Sequence, residues 1–208
     1  MSIETWLGFV AAAAVLLIIP GPTILAVISY SIAHGRRANV PLIAAVTLGD
    51  STALVLSLLG LGTLLRASAS LFILVKVAGV LYLIYLGIKM LRAGVAPLQI
   101  VEPADRVSPR RLFVNTYLVT ALNPKGIVFF VAFLPQFINS NAPVVPQLWL
   151  LAVTFVVLAT TNATLYATFA SSARRLLTSQ RAQRRFNVSG GMLLSAAGIW
   201  ALLAKRPV

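Results

Sequence analysis

The sequence predicts an all-α membrane protein of six transmembrane helices, arranged as two inverted three-helix repeats with spans one and four broken near mid-membrane. Three observations predict it. Apolar runs longer than about 18 residues recur along the chain, and runs of that length read as membrane-spanning helices. Lys and Arg gather in alternate loops. Helix-breaking and polar residues recur in the same order in the two halves. The composition agrees: 59% of the 208 residues are hydrophobic and 10% charged, against about 25% charged in a soluble domain.

The spans are Trp6–Tyr30, Val40–Gly62, Leu71–Leu91, Leu112–Leu134, Leu148–Ala170 and Val188–Ala204. The first is read as retained. Met1-Ser2-Ile3-Glu4 lacks a positive n-region, and the apolar stretch is too long for a signal-peptide core. Six spans of about 20 residues leave only short connections, so one transmembrane domain covers 1–208. Repeat one takes about 6–91, a cytoplasmic linker about 92–111, and repeat two about 112–204.

Loops on one side carry 12 Lys and Arg residues, and segments on the other carry 3. The positive-inside rule then puts the rich loops in the cytoplasm and both termini outside it. The net charge of +13 would suggest nucleic acid on a soluble protein. Here it follows from the loops, and the lipid bilayer is the expected environment. There is no cysteine, which excludes disulfides, thiolate metal sites and a nucleophilic thiol. The single histidine, His34, sits in a loop beside Arg36 and Arg37 and reads as a loop residue. No metal or cofactor is expected. Paired carboxylates, a Ser-His constellation and an HExxH motif are all missing, which argues against an enzyme.

The repeat rests on matched features. Span one holds Pro20-Gly21-Pro22, and span four holds Asn123-Pro124-Lys125. Span two carries Asp50 near its centre, and span five carries Asn162. Span three has Lys76, Gly79 and Gly87 at the spacing of Asn187, Gly190 and Gly198 in span six. Three spans per half is an odd number, so the second half enters from the opposite face, as in many secondary transporters.

Proline lacks an N–H and clashes with the preceding turn, so it interrupts a helix. It is also at home at the first position of a new one. Asn123 before Pro124 fits a helix start capped by Asn, and Gly21 before Pro22 fits one more weakly. A half-helix beginning mid-membrane presents unpaired N–H groups and partial positive charge. Those groups need protein, water or an anion such as an amino-acid carboxylate. The alternative is a plain kink that aids packing.

Ionisable residues deep in a span are costly and face a polar cavity or a partner. Asp50 and Lys125 are the central pair. Asp50 can be a neutral buried acid, an ion-pair partner of Lys125, or a group that holds a substrate ammonium or exchanges protons. Asn162 and Lys76 are secondary candidates. Asn162 suits an interhelical hydrogen bond, and Lys76 is shallow enough to snorkel. Gly79 and Gly87, like Gly190 and Gly198, read as close-packing faces that also fit a homodimer. Trp6 and Trp149 read as interface anchors, and Phe129, Phe130 and Phe133 as lipid-facing or core residues.

Pro20-Gly21-Pro22, Leu48-Gly49-Asp50, Tyr82-Leu83-x-x-Leu86-Gly87, Asn123-Pro124-Lys125 and Phe133-Leu134-Pro135-Gln136-Phe137, in that order, resemble the LysE/RhtB family of bacterial amino-acid exporters. The chain departs from the family pattern at Asn39, Ala45 and Asn115, where glycines are frequent. The resemblance implies a carrier of the bacterial inner membrane that expels amino acids, driven by protons. It also implies that Asp50, Asn123 and Lys125 are the polar site positions and that Pro20, Gly21, Pro22 and Pro124 are the helix breaks. Competing classes are a metal-cation exporter of a related fold and a non-transporting membrane assembly protein. The lack of Cys and the single His disfavour soft metals.

Overall fold

The computed structural model describes residues 1–67, 69–92, 108–139, 141–173 and 179–203. Most of the expected linker, 93–107, lies outside them, as does the end of span six at Ala204. The described residues are helical, with no strand among them. Chain order gives α1 (Ile3–Ile18), α2 (Pro22–His34), α3 (Asn39–Ala67) and α4 (Ala69–Arg92) in the first half. The second half gives α5 (Pro109–Ala121), α6 (Pro124–Val128), α7 (Val144–Thr168) and α8 (Gln180–Leu203). A π-helical turn, Phe129–Phe133, and a 3-10 turn, Leu134–Phe137, extend α6.

Local chemistry sets the ends. Ser2 starts α1, its hydroxyl accepting from the Thr5 amide at 3.3 Å. Ser108 does the same for α5, with Pro109 in the first turn, so this helix starts three residues before the expected Leu112. Between α2 and α3 the chain turns at Gly35, whose φ of 64° is a left-handed conformation that glycine adopts without a Cβ clash. Helix α8 begins eight residues before the expected Val188. Its first turns, Gln180–Asn187, are helical but polar.

Apolar helical stretches long enough to cross a membrane run over Pro22–Gly60, Pro109–Phe137 and Val144–Thr168, and Ile3–Ile18 is a shorter one. The core is apolar, but many large apolar side chains also face outward and several polar groups are buried. Leu56, Leu59, Val153, Val157 and Leu165 lie exposed, whereas Asp50, Thr116, Thr120 and Asn123 are buried.

Three contacts organise the bundle. First, α4 packs on α8 where Gly87 meets Gly191 and Ser195; a Cβ on Gly191 would lie 2.7 Å from the Gly87 carbonyl oxygen. The small-residue face of α4 is therefore filled from within the chain at Gly87, and Gly79 faces Ala132. Second, α3 packs on α5 and α7. A Cβ on Gly49 would lie 2.7 Å from Thr120 Cβ, so glycine there lets α3 touch α5. Spans two and four thus pack closely despite Asn115, which donates to the Tyr30 hydroxyl at 3.4 Å. Third, an aromatic core joins α1, the α6 extension and α7. Phe9 meets Phe137 edge-on at 5.4 Å, and Phe130 meets Phe155 at 4.7 Å. Phe129, Phe130 and Phe133 are buried there, which decides between the two expected placements in favour of the core. Trp6 donates to the Thr154 hydroxyl at 3.1 Å, and Trp149 is exposed.

Candidate functional site

Both expected interruptions are present. Helix α1 stops at Ile18, Ile19 and Pro20 are non-helical, and Gly21 precedes α2 in an extended conformation with Pro22 at its start. In the second half α5 stops at Ala121, and Asn123 precedes α6 with Pro124 at its start.

The first break leaves a specific deficit. In an unbroken helix the carbonyl of Leu16 would accept from residue 20, and that of Ile18 from residue 22. Both positions are proline and have no N–H. Side chains from the second half supply the donors. Lys125 Nζ donates to the carbonyls of Leu16 at 2.8 Å and Ile19 at 2.7 Å. Asn162 Nδ2 donates to the Leu17 carbonyl at 3.1 Å, and the Tyr166 hydroxyl donates to the Ile18 carbonyl at 2.9 Å. Four consecutive carbonyls are thereby satisfied, and a cation sits at a helix C-terminus, where the macrodipole favours it.

The α2 side of this break is bare. Gly21 offers no side-chain cap, and the first intrahelical bond runs from the Leu25 amide to the Gly21 carbonyl at 3.0 Å. The amides of Thr23 and Ile24 therefore have no partner within the helix.

The second break is closed locally. The Asn123 side-chain oxygen accepts from the Lys125 amide at 3.1 Å. The Thr120 carbonyl, deprived by Pro124, takes the Asn123 amide at 3.1 Å. The Asn123 side-chain nitrogen also donates to the Thr23 hydroxyl at 3.3 Å, so the two breaks touch.

A small cavity of about 30 Å³, partly open to the outside, lies between them. Gly21, Asp50, Asn123, Lys125 and Asn162 all line it. Asp50 reaches it from α3, one turn after Val46, and the close contact of Gly49 on α5 sets that approach. Phe155, Ala159 and Asn162 share one face of α7 and form the opposite wall.

The Asp50 carboxylate is buried yet has no hydrogen bond or ion pair among the described residues. Lys125 lines the same cavity, but its ammonium is bonded to the α1 carbonyls. The direct Asp50–Lys125 ion pair considered from sequence is thus replaced by two groups facing one cavity. Pro20, Gly21, Pro22 and Pro124 stand at the breaks. The Lys76 side chain lies outside the described residues. Sequence reasoning missed Tyr166 and Thr23. The signals were there: Tyr166 follows Asn162 by one helical turn, and the two prolines announce two carbonyls in need of donors.

An apolar-faced helical bundle enclosing a polar cavity between two interrupted helices defines the class, a multi-pass membrane protein with a central polar site. The comparisons are more particular. The family described as LysE type translocator matches residues 14–205, and the chain belongs to that family of translocators. Over 204 residues it is 35% identical to the "Homoserine/homoserine lactone efflux protein" of Salmonella typhimurium strain LT2, with 98% of each chain covered. The protein of the same name from Salmonella typhi is also 35% identical over 204 residues, again with 98% of each covered. An "Uncharacterized membrane protein" of Vibrio cholerae is 31% identical over 205 residues, covering 99% of this chain and 100% of its own. No solved structure matches the chain.

Proposed function

We propose that the chain is a secondary transporter of the bacterial inner membrane that exports small amino acids or related zwitterions in exchange for protons. The observation that carries this reading is the meeting of both helix breaks, Asp50, Asn123 and Lys125 at one cavity. An amino acid presents a carboxylate and an ammonium on one carbon. The bare start of α2 suits the carboxylate, since helix N-termini attract anions. Asp50 has no hydrogen-bond or ion-pair partner among the described residues and suits the ammonium; as the acid in the cavity it is also the group to exchange a proton. Asn123, through Thr23, links the two breaks across the site. The names of the two Salmonella relatives favour homoserine-like substrates.

In this reading the six spans form two inverted repeats with both termini extracytoplasmic, and rocking of one half against the other exposes the cavity to each side in turn. The matched order of helix, break and two long helices in each half supports it. So does the charge asymmetry of the loops.

The test is counterflow in proteoliposomes with a panel of labelled amino acids, with and without a pH gradient. Homoserine-like substrates should accumulate, and an inward proton gradient should speed their movement the opposite way. Flux of no amino acid would sink the substrate class, and indifference to the gradient would sink the coupling.

A further inference from the structure

We propose that the carbonyl end of α1 is an ammonium subsite. Lys125 is its tethered occupant, and the amino group of the transported substrate takes its place on binding. This rests on the amino-acid transport reading and deepens it.

The geometry already demonstrates the chemistry. The carbonyl oxygens of Leu16 and Ile19 hold a primary ammonium at 2.8 and 2.7 Å, the lengths of charge-assisted hydrogen bonds. Leu16 and Lys125 both line the cavity, and Asp50, without a bonded partner among the described residues, faces the same space. A second ammonium entering there would find two aimed acceptors and an opposite charge. The neighbouring carbonyls of Leu17 and Ile18 are held by Asn162 and Tyr166 from one face of α7. Those neutral donors keep the end of α1 fixed while Lys125 moves.

An exchange of occupants preserves hydrogen bonds. If Lys125 left alone, two carbonyls would lose their donor, a loss that burial makes expensive. If another ammonium arrives, each carbonyl keeps an N–H. The lysine on its flexible four-carbon stem is then free to turn to the substrate carboxylate. This also explains how Lys125 can serve the substrate while its ammonium is bonded to backbone. The subsite therefore selects for N–H donors and not for positive charge alone.

Two experiments test this on the full chain. In wild-type counterflow of labelled homoserine, an N-methyl derivative keeps two N–H donors and should compete like the parent. The N,N,N-trimethyl derivative keeps the charge but no donor and should compete roughly tenfold less well or worse. Equal competition by the trimethyl derivative would overturn the subsite and leave the transport reading standing. In purified Lys125→Ala, ethylammonium should raise the thermal unfolding midpoint and tetramethylammonium should not. No ethylammonium shift, or the same shift with both, would also overturn it. Lack of wild-type counterflow with the ethylammonium shift intact would overturn the transport reading and not the subsite.

Discussion

The two helix breaks occupy matching places in the two halves but are stabilised in opposite ways. At the second, the repair is local. Asn123 caps the Lys125 amide, and its own amide serves the Thr120 carbonyl orphaned by Pro124. At the first, the repair is remote. The carbonyls of Leu16, Leu17, Ile18 and Ile19 depend on Lys125, Asn162 and Tyr166, all more than 100 residues away. The start of α2 is left uncapped beside the cavity. The difference teaches that similar prolines do different work. One break is held by its own neighbours, and the other is a joint whose stability is contributed by the opposite half, so a displacement between the halves would break those bonds.

Removing the remote donor should have the largest effect. Lys125→Ala leaves two carbonyls without a donor and is expected to destabilise the folded protein by about 2–6 kcal/mol, measured by thermal or denaturant unfolding in detergent. A loss no greater than that of Asn123→Ala would break the comparison. Next, Pro20→Ala restores an N–H four residues after Leu16 and so offers that carbonyl a backbone donor. Combined with Lys125→Ala it should recover about 0.5–3 kcal/mol relative to additivity, read from a double-mutant cycle. Strict additivity would mean that Pro20 does not create the need Lys125 meets. Asn123→Ala removes a local cap and is expected to cost about 0.5–2 kcal/mol. Smallest is Tyr166→Phe, which deletes one neutral hydrogen bond to Ile18 and should cost about 0.5–1.5 kcal/mol with the fold retained, as judged by circular dichroism and the unfolding midpoint.

Much of this was legible in the chain because membrane burial is a severe filter. Long apolar runs with few charges mark helices, so an aspartate at 50 and a lysine at 125 stand out at once. Asn-Pro at 123–124 carries its own cap in sequence, and the structure places that helix start where the dipeptide indicates. The start of α8 was less legible. Gln180–Asn187 is helical yet polar, and hydropathy sees only the apolar part of a helix. The partner of Lys125 was not legible either. Its bonds span 109 and 106 residues, and a carbonyl acceptor has no residue type to betray it. Electrostatics suggested Asp50 as the nearest opposite charge. Proline chemistry was the better guide, because it counts which carbonyls lack donors. Tyr166 could have been found by the same count, together with its one-turn spacing from Asn162.

The central claim is that the shared cavity is where substrate and proton meet, with Asp50 as the group common to both. The most direct measurement is homoserine transport driven by an imposed pH gradient in proteoliposomes, comparing wild type with Asp50→Asn reconstituted at equal density. Wild type should show gradient-driven transport and the variant none. Undiminished gradient-driven transport by Asp50→Asn would contradict the claim.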